Sequence, residues 1–230
     1  MMRMHGTCVL GLAAVVSIAG CPVGSLYVEG PPQARVVTNM GAFVIELEPN
    51  AAPLTVANFR QYAEEGFYDG TIFHRVVSGF VIQGGGILPD LTAKPTRAPI
   101  PTEARNGLTN VRGSVAMARG DDPNSATAQF YVNLANNALL DATLTDAGYT
   151  VFGAVVEGMD VVDAIGTVPT QTVGSARDVP VTNVVIESIR IETAEVLSSE
   201  WETYLTGIEG NFQAFLRDMV VQVLTTALSG

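Results

Sequence analysis

Lysine is nearly absent from this chain: Lys94 is the only one in 230 residues, and the formal net charge is −11. Phosphate binding rests on clustered Lys and Arg, so the deficit argues against nucleic acid as a partner. It argues equally against electrostatic docking on an anionic membrane surface. Cysteine is as scarce, with Cys8 and Cys21 alone. Two thiols near the N-terminus build neither a disulfide framework nor a Cys-based metal site in a domain that follows them. His5 and His74 are isolated, and no His/Asp/Glu cluster has metal-ligand spacing. No metal or other cofactor is expected. Long apolar runs are missing too. Val9–Gly20 covers about twelve residues, short of the roughly 20 that a spanning helix needs.

Apolar residues make up 47% of the chain and charged ones 15%, enough for one sizeable core and hence one main domain. Valine and threonine favour pleated sheet, and 23 glycines suit many turns.

Arg3, the apolar run and the small residues after it fit a secretory signal segment. Ile18-Ala19-Gly20-Cys21 resembles a bacterial lipoprotein signal, in which the cysteine becomes the lipidated first residue. The resemblance implies loss of residues 1–20, a lipid anchor at Cys21, and a bacterial cell-envelope location facing the periplasm. Each buried CH₂ of an acyl chain contributes about 0.8 kcal/mol, so several chains anchor firmly. Residues 21–33, with Gly30-Pro31-Pro32, have linker composition.

From residue 34 the pattern changes. Residues 34–39 and 42–48 form a hairpin, with Phe43, Ile45 and Leu47 alternating against Glu46 and Glu48. Pro53 to Gly66 is a helix, with Leu54, Ala57, Phe59, Tyr62 and Ala63 as its apolar face. Phe73 to Gly86 comprises two short strands bent at Ser78-Gly79, with a glycine-rich exit. Phe80 and Gln83 sit an odd number apart, so sharing a face with Arg75 needs a bend or a bulge. A long proline-bearing loop covers 87–112. Short strands are expected at 114–118, 128–134, 149–156 and 184–191, with a turn of helix at 136–141 and a short helix at 159–165. The spacing predicts an all-β fold, a closed eight-stranded antiparallel barrel capped by two helices.

Phe73-His-Arg through Gln83-Gly-Gly, Met117-Ala-Arg, Asn124-Ser-Ala-Thr-Ala-Gln-Phe-Tyr131 and Val151-Phe-Gly resemble the cyclophilins, the peptidyl-prolyl cis–trans isomerases. The blocks occur in that family's order over residues 34–192. The proline-bearing loop and Glu103-Ala-Arg-Asn-Gly-Leu look most like bacterial, periplasmic-type members. The resemblance implies a catalytic Arg75 and an apolar proline pocket of Phe80, Met117 and Tyr131. It implies Gln83 in that pocket, Ala118 and Gln129 along the peptide groove, and Leu139, Leu140 and Tyr149 at the rim. Three positions depart from the common pattern: Tyr131 adds a hydroxyl to the floor, Leu139 lacks an indole, and Arg119 stands where asparagine is common.

These residue types suit the chemistry. Twisting an X-Pro amide breaks its resonance and returns a lone pair to the prolyl nitrogen. A guanidinium donating to that nitrogen stabilises the twisted state more than the planar one. No proton moves, so His74 is expected to be structural. The expected partners are proline-containing polypeptides of exported proteins. A proline-peptide-binding chaperone or scaffold lipoprotein without turnover is the alternative.

Residues 193–230 form a helical C-terminal extension. Ser199 with Glu202 resembles a capping box, and Phe212, Phe215, Leu216, Met219, Val220, Val223 and Leu224 make an apolar stripe. Two helices folded on the barrel, or an oligomer or partner seam, fit that stripe.

Overall fold

The computed structural model describes residues 31–192; the expected signal segment 1–20, Cys21, the linker to residue 30 and the extension 193–230 lie outside the described residues. Alternation is strongest at the start of this span. Strands β1 (Gln33–Thr38) and β2 (Gly41–Leu47) pair from Gln33↔Glu46 to Thr38↔Gly41 across a two-residue turn. Ala34, Val36, Phe43 and Ile45 meet across the pair and face the core.

Helix α1 (Pro53–Glu64) starts on a proline whose missing N–H costs nothing at that position. Its own N-cap, Ala52, supplies no side chain. Glu103 does so from the long loop: Oε1 accepts from the Leu54 N–H at 3.1 Å, and Oε2 accepts from the Thr55 N–H at 2.8 Å and its hydroxyl at 2.7 Å. The buried stripe is Thr55, Val56, Asn58, Phe59, Tyr62 and Ala63. Leu54 and Ala57, expected on that face, are exposed. They sit beside the 56–59–63 line, where a 3.6-residue period turns them outward.

The remaining strands are β3 (Arg75–Val77), β4 (Val81–Gly84), β5 (Ser114–Met117), β6 (Phe130–Asn133), β7 (Val151–Glu157), β8 (Thr170–Val173), β9 (Ala176–Pro180) and β10 (Ile186–Glu192). Helix α2 (Met159–Ile165) follows β7. Eight strands make one antiparallel sheet in the order β10-β1-β2-β7-β5-β6-β4-β3. It curls around an aromatic core in which Phe59 of α1 packs against Phe130 at 5.5 Å and Phe152 at 5.1 Å.

The closed barrel expected from the sequence is corrected to a curled half-barrel. No ladder joins the edge strands β3 and β10. Their approaches meet at one bridge, Ile72↔Val185, flanked by the bonds Phe73 N–H to Val184 O and Ile186 N–H to Thr71 O. The Ile72 N–H goes instead to Ile87 O. Residues 71–73 therefore divide their bonds between two partners, and β3 begins only at Arg75.

The hairpin β8–β9 is a second sheet that the sequence reading missed. Its signal was present: Thr170-Gln-Thr-Val, then Gly174 at φ 59°, then Ala176-Arg-Asp-Val.

Candidate active site

The registers of β3, β4, β6 and β5 place residues in rows across the sheet. Arg75 pairs with Gln83, Gln83 with Tyr131, and Tyr131 with Ala116. Directly paired residues project to the same face. The neighbouring row, Val76, Ile82, Val132 and Val115, projects to the other face and lies in the main core. One face of this half of the sheet is thus core, and the other carries Arg75, Gln83 and Tyr131.

The outer face forms a cleft of about 230 Å³, lined by Arg75, Phe80, Val81, Gln83, Ala118, Arg119, Tyr131, Leu140 and Tyr149. Phe80 reaches it from the turn before β4, not from the strand, which resolves its odd offset from Gln83. The turn is pinned where Phe80 O accepts from the Leu134 N–H at 2.8 Å and from Asn137 Nδ2 at 2.9 Å.

Gln83 stands at the centre of a polar relay. Its Oε1 accepts from Arg75 Nη1 at 3.4 Å, and its Nε2 donates to Gln129 Oε1 at 3.0 Å. Gln129 can lie so near because residue 86 is glycine: a Cβ there would meet Gln129 Cγ at 2.8 Å. Arg75 Nε also lies 3.8 Å from Asp178 Oδ2 on β9. Both side chains are substantially exposed, so that pair contributes little to stability. Asp178 holds φ 60°, uncommon for a residue with a side chain.

Tyr131 is 4% exposed, and its hydroxyl points away from the groove, donating to Asn110 Oδ1 at 2.7 Å. Asn133 Nδ2 donates to the same oxygen at 3.2 Å, and Asp141 Oδ1 accepts from the Asn110 N–H at 2.6 Å and Nδ2 at 2.9 Å. Burial pushes the phenol pKa up, so the hydroxyl stays a neutral donor. The added hydroxyl therefore leaves an aromatic ring on the floor. Tyr149 meets that ring edge-on at 5.8 Å.

Seven expected site residues line the cleft: Arg75, Phe80, Gln83, Ala118, Tyr131, Leu140 and Tyr149. Gln129 joins through Gln83. Met117 does not. It pairs with Phe130, is 1% exposed and belongs to the core on the inner face. Its odd offset from Ala116 sends it inward. Val81 takes the expected pocket place. Its even offset from Gln83 was the readable signal, since i and i+2 share a face. Leu139 is 97% exposed and stands outside the lining. His74 is not among the residues lining the cleft: burial pushes its imidazole down to about 4, the Ile72 backbone opposing the fall and the nearby Arg75 charge adding to it, and Nδ1 has no hydrogen-bond partner among the described residues. A larger hollow of about 430 Å³ lies beside Thr102–Asn106 and Leu144–Ala147. Its charged side chains are already engaged, Glu103 on α1, Arg105 on Thr143 O and Asp146 on the Gly148 N–H.

Residues 34–191 match the family model described as cyclophilin type peptidyl-prolyl cis-trans isomerase/CLD. The chain is 47% identical to a peptidyl-prolyl cis-trans isomerase of Acinetobacter baylyi over 79% of its length and 97% of the relative. It is 51% identical to peptidyl-prolyl cis-trans isomerase B of Escherichia coli over 67% of its length and 96% of the relative. Among solved structures, a Cryptosporidium parvum cyclophilin type isomerase, crystallised in the presence of the dipeptide Ala-Pro, superposes with a TM-score of 0.61 at 26% identity, covering 70% of this chain and 99% of that one. Fold, row geometry and these likenesses agree, and the chain belongs to the cyclophilin-type peptidyl-prolyl cis–trans isomerases.

Proposed function

We propose that Arg75 carries the isomerisation by donating to the prolyl nitrogen of an X-Pro bond whose ring rests against Phe80, Val81 and Tyr131. The observation behind this reading is that the guanidinium and the aromatic rings border one open cleft, with Gln83 holding Arg75 Nη1 at 3.4 Å. The amide barrier is about 18–20 kcal/mol. A charge-assisted donor that engages only the pyramidal nitrogen lowers it by an amount typical of one positioned hydrogen bond, about 2–3 kcal/mol. Gripping the ring while the preceding carbonyl turns lowers it further. The Cryptosporidium parvum relative, crystallised in the presence of the dipeptide Ala-Pro, supports proline-containing peptides as the ligand class.

The test is a protease-coupled proline-peptide assay on residues 21–230, with and without Arg75→Ala. We expect kcat/KM to fall by about a hundredfold, the equivalent of roughly 2.7 kcal/mol. Normal peptide affinity with no acceleration by the unaltered protein would leave the non-catalytic binder. Equal turnover by Arg75→Ala would remove Arg75 from the mechanism.

Lipidation of Cys21 and release of residues 1–20 would tether this domain in the bacterial envelope, facing the periplasm, with exported polypeptides as clients. The support is the sequence Ile18-Ala19-Gly20-Cys21 and the linker composition after it. In this arrangement 21–33 is the tether, 34–192 the isomerase and 193–230 a helical extension available for an oligomer or partner.

A further inference from the structure

The cleft holds a second arginine at its far end. Arg75 begins β3, and Arg119 follows β5, so β4 and β6 lie between them. Three strand spacings separate the two walls, about 14 Å. The two guanidiniums are held differently. Arg75 has a carboxylate at 3.8 Å, from Asp178. Arg119 has no carboxylate partner among the described residues, and Asp121 and Asp122 make no ion pair with it.

Arg119 is nonetheless fixed in place. Its Nε donates to Gly148 O at 3.0 Å, and its Nη1 donates to Gly120 O at 2.8 Å and Asp121 O at 3.3 Å. Its carbon Cζ lies 4.6 Å from the centre of the Tyr149 ring, which itself lines the cleft. Nη2 has no hydrogen-bond partner among the described residues. The result is a braced fork with one end open and its charge uncompensated. No carboxylate lines the cleft, although the chain as a whole carries −11.

A planar, preorganised guanidinium with a free donor edge matches a carboxylate. We propose that Arg119 is a specificity-determining residue, and that it selects polypeptides bearing an acidic side chain near the proline. This rests on the isomerase reading of the same cleft. The ring floor at Tyr131 is one strand spacing from β5, and an extended chain advances about 3.3 Å per residue. The acidic residue therefore falls within about three positions of the proline.

The test uses peptides with a fixed Ala-Pro core and Glu, Gln or Lys placed in turn at the three positions on each side. For the unaltered protein, Glu is favoured over Lys in kcat/KM at one of these positions by about three- to fivefold, the scale of a half-exposed ion pair. About 0.5 M salt shrinks that ratio. Arg119→Gln brings the ratio close to one, and Arg119→Glu inverts it. Arg119 also braces two loops, so a purely structural role would lower every peptide alike and leave the ratio untouched; that result overturns the proposal. So does a flat Glu-to-Lys ratio at every position in the unaltered protein. Peptide affinities from NMR titration, measured alongside, keep the two readings apart. A Glu preference in affinity without turnover would sink the isomerase reading and uphold this one. Turnover without preference would do the reverse.

Discussion

Asn110→Ala strands the Tyr131 hydroxyl beneath the cleft floor, and the cost can be worked from the contacts. The hydroxyl sits 2.7 Å from Asn110 Oδ1 on a residue only 4% exposed, so water cannot replace the lost partner. A buried polar group left unpaired costs about 1–3 kcal/mol. Asn133 Nδ2 also loses that oxygen but keeps Ser114 Oγ at 2.9 Å. Asp141 Oδ1 loses Asn110 Nδ2 but keeps the backbone N–H at 2.6 Å. We expect about 2–4 kcal/mol in all. Tyr131→Phe removes the donor and leaves Asn110 Oδ1 with Asn133, at a cost of about 1 kcal/mol. In the double variant nothing is stranded at the phenol position. Its cost falls short of the sum of the singles by about 1–2 kcal/mol. Urea unfolding with an unchanged slope reads these differences. The same variants read out in catalysis: Asn110→Ala lets the ring tilt and lowers kcat/KM, the added Tyr131→Phe restores part of it, and Tyr131→Ala costs more than Tyr131→Phe. Costs that add to within about 0.5 kcal/mol would refute the buried hydroxyl–amide pair.

Two further outcomes follow from the chain. Burial holds the His74 imidazole at about 4 against an ordinary 6.5. The unfolded chain therefore takes up a proton that the folded one refuses, and stability falls as pH drops from about 6.5 towards 4, by on the order of 3 kcal/mol. Above pH 7 that contribution is fully present; unfolding curves that stay level from pH 7 to 4.5, or an NMR titration of His74 near 6.5, would contradict it. Cys21→Ser abolishes incorporation of labelled fatty acid and releases the protein from the membrane fraction in a bacterial host. Equal labelling of the serine variant would remove the anchor.

The site was legible where chemistry and period agree. Arg75 and Gln83 were named from the family blocks, and their even offset put them on one face of the hairpin. Val81 was available from the alternation that pairs it with Gln83, whereas Met117 was assigned to the pocket from the family blocks against that same rule, one residue off the outer row. The helix at Pro53 was legible as a helix, but its buried stripe was not, because Leu54 and Ala57 are apolar without being on the line that meets the sheet.

Local sequence determined the hairpin turns and the start of α1 at a proline, since each depends on residues within a few positions. Tertiary structure alone decided the rest. Glu103 caps a helix 48 residues away, and Asn110 receives a hydroxyl from 21 residues on. Asp178 reaches Arg75 from another sheet, and Arg119 ends up at the opposite wall of the same cleft. Those partners are set by strand order and register, which depend on how the whole sheet curls around its aromatic core.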